Sequence, residues 1–142
     1  MTWYNRGIFE IVNQTTNLDT GAILLLLLSS AATFNRDDDF VSGISANEIS
    51  TTGYARATLA NTTITLDDTN DRVTFDADDV TFTGLGPATG GPIVGFAVVY
   101  RNTGADATSP LLINFDLVDT QTNGSNFTIQ WNAVGLSTFT SP

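Results

Sequence analysis

Residues 62–83, TTITLDDTNDRVTFDADDVTFT, constrain this chain more than any other segment. Apolar residues alternate with Thr and Asp on both sides of Asp- and Asn-rich breaks. A period of two describes strands with one wet face, and the breaks describe tight turns. Ile64 pairs with Leu66 in this pattern, Val73 with Phe75, and Val80 with Phe82. Asp67-Asp68-Thr69-Asn70-Asp71 suits a hairpin turn, because Asp and Asn tolerate left-handed backbone and bond their own main chain.

The same punctuation organises the rest of the chain. The run 22–28, AILLLLL, reads as a strand buried on both faces or as a short core helix. Residues 54–59 predict a strand with Tyr54, Arg56 and Thr58 on one face. Residues 84–92, GLGPATGGP, are a breaker-rich loop. Residues 93–100, IVGFAVVY, predict the central strand, with Gly95 at a bulge or a close approach. After the loop 102–110, Leu111, Ile113, Phe115 and Leu117 alternate with Leu112, Asn114, Asp116 and Val118. Asn123-Gly124 is a type I′ hairpin signal. Phe127, Ile129 and Trp131 then alternate with Thr128, Gln130 and Asn132, and 136–140 is an edge. These segments number roughly eight strands. They predict an all-β fold: an antiparallel β-sandwich or barrel, jelly-roll-like, occupying 20–142 of a single domain 1–142.

Residues 1–19 read as an N-terminal arm with a short helix or turn. Ile8, Ile11 and Val12 share helical spacing and Asn5 could cap, while Gly7 and Thr15-Thr16-Asn17 weaken the helix. Trp3 and Tyr4 either fold back on the core or dock on a neighbouring subunit, since interface cores are rich in aromatics. The long polar connection 29–53 covers the sheet or reaches a partner. Within it, Asp37, Asp38 and Asp39 precede Phe40 and Val41 as a helix N-terminus would, and Ser45-Ala46-Asn47-Glu48 is turn-like.

Composition removes function classes. The chain has 142 residues and no cysteine, histidine or lysine; its positive charges are Arg6, Arg36, Arg56, Arg72 and Arg101. Triads, thiol catalysis, Schiff bases and most zinc sites lose their essential residues. A net charge of −10 repels phosphate backbones, which argues against nucleic acid as a partner. The 22–28 run is far shorter than the roughly 20 residues that cross a bilayer, and it lacks the flanks of a secretory signal. No membrane partner is expected.

A carboxylate pair is the remaining catalytic route, with Asp76, Asp78 and Asp79, or Asp37 to Asp39, as candidates. Both sets sit where solvated turns or caps are expected. Asp67 to Asp71 could supply oxygen ligands to calcium, but the EF-hand spacing fails. No cofactor or metal is therefore assigned. The glycines of 84–91 fit neither a dinucleotide fingerprint nor a P-loop, and read as turns. Arg56, Arg72 and Arg101 pair with Asp across strands, or anchor another subunit by bidentate contacts.

Several longer stretches, namely NRGIFEIVN, NRDDDFVSGISANEIS, GYARATLANTTITLDDTNDRVTFDADDVTFTGL, AVVYRNTGADATSPLL and NGSNFTIQWNAVGL, resemble a family of small structural proteins of tailed bacteriophages. The likeness runs from about Asn5 to Leu136 and is most specific between Gly53 and Phe82. It implies a β-rich virion protein, a capsid decoration or cement protein that self-associates, typically as a homotrimer. Such a protein clamps the major capsid protein lattice from the outer face of the shell. Family members commonly carry a Lys after the first Ile of the AILLLLLSS segment and a His within the segment matching Asp37 to Asp39. The resemblance transfers no catalytic residue.

Candidate protein-interface residues are Trp3, Tyr4, Arg6, Arg36, Phe40 and Arg56. The alternative reading is a tail-tip or fibre module that binds host-surface glycans, with Trp131 and Tyr100 as an aromatic platform. A carboxylate-only glycosidase is the third.

Overall fold

The computed structural model describes residues 1–140. In chain order the elements are β1 (Thr2–Trp3), α1 (Asn5–Val12), β2 (Ile23–Ser29), α2 (Val41–Ile44), a 3-10 turn (Ser45–Asn47), β3 (Ala57–Thr58), β4 (Thr63–Asp67), β5 (Arg72–Asp76), β6 (Val80–Phe82), β7 (Ile93–Arg101), β8 (Leu111–Gln121), β9 (Phe127–Ile129) and β10 (Ser137–Thr140). The strands form antiparallel sheets of order β1-β8-β7-β2-β3, β10-β5-β4 and β6-β9. The fold is an all-β sandwich and not a closed barrel. The ten strands among the described residues exceed the expected eight partly because β1, two residues long, is too short to leave a periodic signal.

The five-stranded sheet is covered on both faces. Leu25, Leu27, Ala97, Val99 and Ile113 face a core shared with Phe75 of β5, Val80 and Phe82 of β6, and Ile129 of β9. Leu26, Leu28, Val98, Tyr100 and Leu111 face the opposite way, onto Tyr4, Val41 and Ile44. Register explains the partition: Leu25 lies opposite Val99 and Leu26 opposite Val98, so odd and even leucines go to different cores. The AILLLLL run is thus a strand buried on both faces. The polar connection after it is the second cover, because its α2 packs on the sheet.

β7 is the middle strand, as its composition predicts. Its register shifts between Val94 and Phe96, and a Cβ at Gly95 would lie 2.6 Å from the Ser30 Cα. Bulge and close approach coincide there. β4 and β5 form the expected hairpin in unbroken register. Asp67 accepts from the Asn70 amide and side chain at 3.2 and 2.7 Å, and Asp71 sits at φ 49°.

Four local expectations change. Asn5 is the first helical residue rather than the cap; Tyr4 holds that place, and the Asn5 side chain donates to Asp37 Oδ1 at 2.7 Å. Asp37, Asp38 and Asp39 stand just before α2 but do not cap it. Its first amides donate instead to the Ser109 and Asp106 carbonyls. The strand expected at 54–59 shrinks to β3, because Tyr54 and Arg56 both turn toward Glu48. Asn123-Gly124 turns the chain, but not into a β8–β9 hairpin. Leu85 donates to the Ser125 carbonyl and accepts from the Gly124 amide, and β9 pairs with β6 in another sheet.

Candidate docking surface

Helix α1 is inverted relative to its own sequence. Ile8, Phe9 and Val12 face outward while Gly7 and Glu10 are buried, and Ile11 is the apolar side chain of the helix that packs on the core. Val12 is 77% exposed and Glu10 only 1%. The cause lies on the inner face. Helix and strand backbones come so close that a Cβ at Gly7 would stand 2.6 Å from the Leu112 carbonyl oxygen. No larger residue fits there, so the glycine that weakens the helix in isolation is what lets it dock.

Glu10 then becomes the anchor. Its carboxylate meets Arg6 at 2.7 Å one turn away and Arg101 of β7 at 3.4 Å. The hydroxyls of Thr15 and Thr16 donate to it at 2.7 and 3.1 Å. Arg101 also donates to the Thr15 carbonyl. Burial pushes the Glu10 carboxyl upward, but the Thr15, Thr16 and Arg6 hydrogen bonds and the Arg101 charge outweigh it and hold it below the usual range. Buried charge paired this completely is tolerable; unpaired it would not be. The helix ends where Gln14 takes φ 57° and the Thr15 and Thr16 amides fold back onto the Glu10 carbonyl.

The outward face continues at both ends of α1. At its start, the Arg6 guanidinium lies 5.3 Å from the Phe9 ring centre and 4.9 Å from that of Phe40. Arg36 is exposed, and its carbonyl accepts the Asn5 amide at 3.1 Å. At its far end, Ile11 lines an open groove of about 590 Å³ with Leu18, Ile64, Val73 and Phe139, edged by Gln14 and Asn17. The apolar surface therefore runs from Phe40 along the helix to the β4–β5 hairpin.

Of the residues singled out from sequence, Arg6 and Phe40 come together at this surface, and the Arg36 backbone adjoins it through the Asn5 amide. Tyr4 does not join them: it is buried in its own chain, on the five-stranded sheet, with its ring 5.1 Å from Phe34. Trp3 also folds back, donating to Ser137 Oγ at 2.9 Å and packing on Phe139 at 5.3 Å. Adjacent residues in extended chain point to opposite sides, so Trp3 and Tyr4 enter different cores.

Arg56 is an internal tie. It bonds Glu48 at 2.6 and 2.8 Å and Asp106 at 2.5 and 2.8 Å, closing 45–57 onto the loop before β8. The Asp106 and Glu48 bonds raise its affinity for its proton, and Asp106 is lowered in return. Arg72 pairs with Asp67 at 2.9 Å across the hairpin. Among the described residues Arg36 alone of the five arginines makes no ion pair. Ile8, Phe9 and Val12 escaped sequence reasoning as surface residues, because helical spacing of apolar side chains ordinarily marks a buried face.

The carboxylates of the first set are tied to their own chain, with Asp76 ending β5 opposite Thr63. Asp78 accepts from Asn61 at 2.7 Å, and Asp79 accepts the Trp131 amide at 2.8 Å. No group of three or more acidic residues is placed to hold a metal ion among the described residues. The aromatic platform does not form: Tyr100 is 1% exposed, while Trp131 packs on Phe115 at 5.0 Å and donates its indole N–H to the Asp78 carbonyl. Among the described residues no helix is long and apolar enough to cross a membrane. No protein-family model, curated protein or solved structure matches this chain.

Proposed function

We propose that this chain is a non-enzymatic virion structural protein: a capsid decoration protein of a tailed bacteriophage that stabilises the major capsid protein lattice. The observation that carries the proposal is the inverted helix. Ile8, Phe9 and Val12 form an apolar face without cover in the described chain, flanked by the Arg6–Phe40 cluster and by the groove at Ile11. A contiguous apolar patch with a polar rim marks a protein-binding surface. The resemblance of the sequence to tailed-phage structural proteins supplies the class of partner.

A protein that binds only the assembled shell stabilises that shell by mass action, and many symmetric copies multiply a modest contact. With a net charge of −10 it belongs on the outer face, away from packaged DNA. The resemblance implies self-association in threes. Quantitative densitometry of purified virions tests the reading: a copy number comparable to that of the major shell subunit is expected. A handful of copies per particle, or none, refutes it.

A further inference from the structure

We infer that β4 is a self-association edge, pairing antiparallel with β4 of a second copy of this chain about a two-fold axis at Thr65. This seam borders the groove at the far end of α1, since Ile64 lines that groove and also faces the axis, and it does not depend on the virion reading. Other edges in the described residues are blunted. β1 and β3 are two residues long, and β6 and β9 three. The outer half of β8 carries Asp116 and Asp119 and lies beside a register shift. β10 has four residues, with Trp3 packed on its Phe139. β4 has five, in unshifted register with β5 and with Thr63 to Leu66 exposed. It lacks the Lys, Pro, bulge or inward charge that ordinarily guards an edge.

The sequence of β4 is self-complementary in that geometry. A two-fold at Thr65 sets Ile64 opposite the second copy's Leu66, on the same face, covering a leucine that is 69% exposed. The polar face then carries a row of six threonines, because Thr74 of β5 already lies opposite Thr65 and Thr138 of β10 opposite Thr74. Charge does not oppose this seam, although each chain carries −10. Thr63 to Leu66 are uncharged. The one carboxylate, Asp67, is held by Arg72 at 2.9 Å and would face a Thr63 hydroxyl, so no acid meets an acid across the axis.

Light scattering at micromolar concentration reads the seam as an even number of chains: two if it acts alone, six if it joins trimers. One or three chains overturns it, and three would leave the trimer of the functional proposal standing by itself. Leu66→Lys puts two ammonium groups beside the axis and should weaken the pairing about tenfold or more, while the melting temperature read at dilutions where both chains are single stays in place. An unchanged mass for that variant overturns the seam.

The chain has no cysteine, so Thr65→Cys provides a sole thiol at the axis. Mild oxidation should link it into covalent pairs much faster than the highly exposed control Val118→Cys. Equal rates overturn the proposal even if Leu66→Lys fails to fold.

Discussion

Glu10 decides how the N-terminal helix sits. A carboxylate at 1% exposure is kept charged by two arginines and two threonines, and those partners come from α1, from the turn after it and from β7. Glu10→Gln removes the charge and leaves Arg6 and Arg101 facing an amide. The expected cost is about 2 kcal/mol, less than for a fully buried pair because the two arginine side chains are 30% and 28% exposed. Since the fold lowers this carboxyl, its contribution is full above the unfolded carboxylate value of about 4.3 and is lost as pH falls through the lower folded value. Asp38 works the other way, raised by burial and, against its Asn35 bond, by Asp37 and Asp39. The difference between variant and wild type isolates Glu10. Urea unfolding should show wild type losing stability more steeply than Glu10→Gln below about pH 4.3; parallel curves contradict this account.

At the scale of elements, α1 and the β4–β5 hairpin present apolar side chains to solvent, and both would be poor choices if stability were the only demand. Val12 is exposed, so Val12→Asp should change unfolding free energy by no more than about 0.5 kcal/mol. On a docking face the same change buries an unpaired charge. Readdition of the variant to particles stripped of this protein should show binding weakened about tenfold or more. Wild-type occupancy by a folded Val12→Asp would remove α1 from the interface.

The sandwich as a whole closes through the arm. β1 belongs to the large sheet and β10 to a small one, and Trp3 joins them by its bond to Ser137 and its packing on Phe139. Trp3→Ala should cost about 2 kcal/mol, less than a fully buried tryptophan because the ring is only half-buried. Thermal melting measures the loss. Amide exchange should quicken in β10 and β5 more than in β7, whose neighbours on both sides are retained. Uniform quickening would mean that the arm supports the whole fold rather than this junction.

Sequence by itself determined the strands, because alternation and turn chemistry are local. The hairpin at Asp67 to Asp71, the buried leucine strand and the bulge at Gly95 were all legible from a few neighbouring residues. Tertiary structure decided what each segment touches. Nothing local announces that Gly7 meets the Leu112 backbone, that Tyr54 and Arg56 leave a strand for Glu48, or that β9 crosses to β6 after Asn123-Gly124. The inverted helix shows the reason. Periodicity reports which residues share a face, but only the packing of distant backbone determines which way that face points.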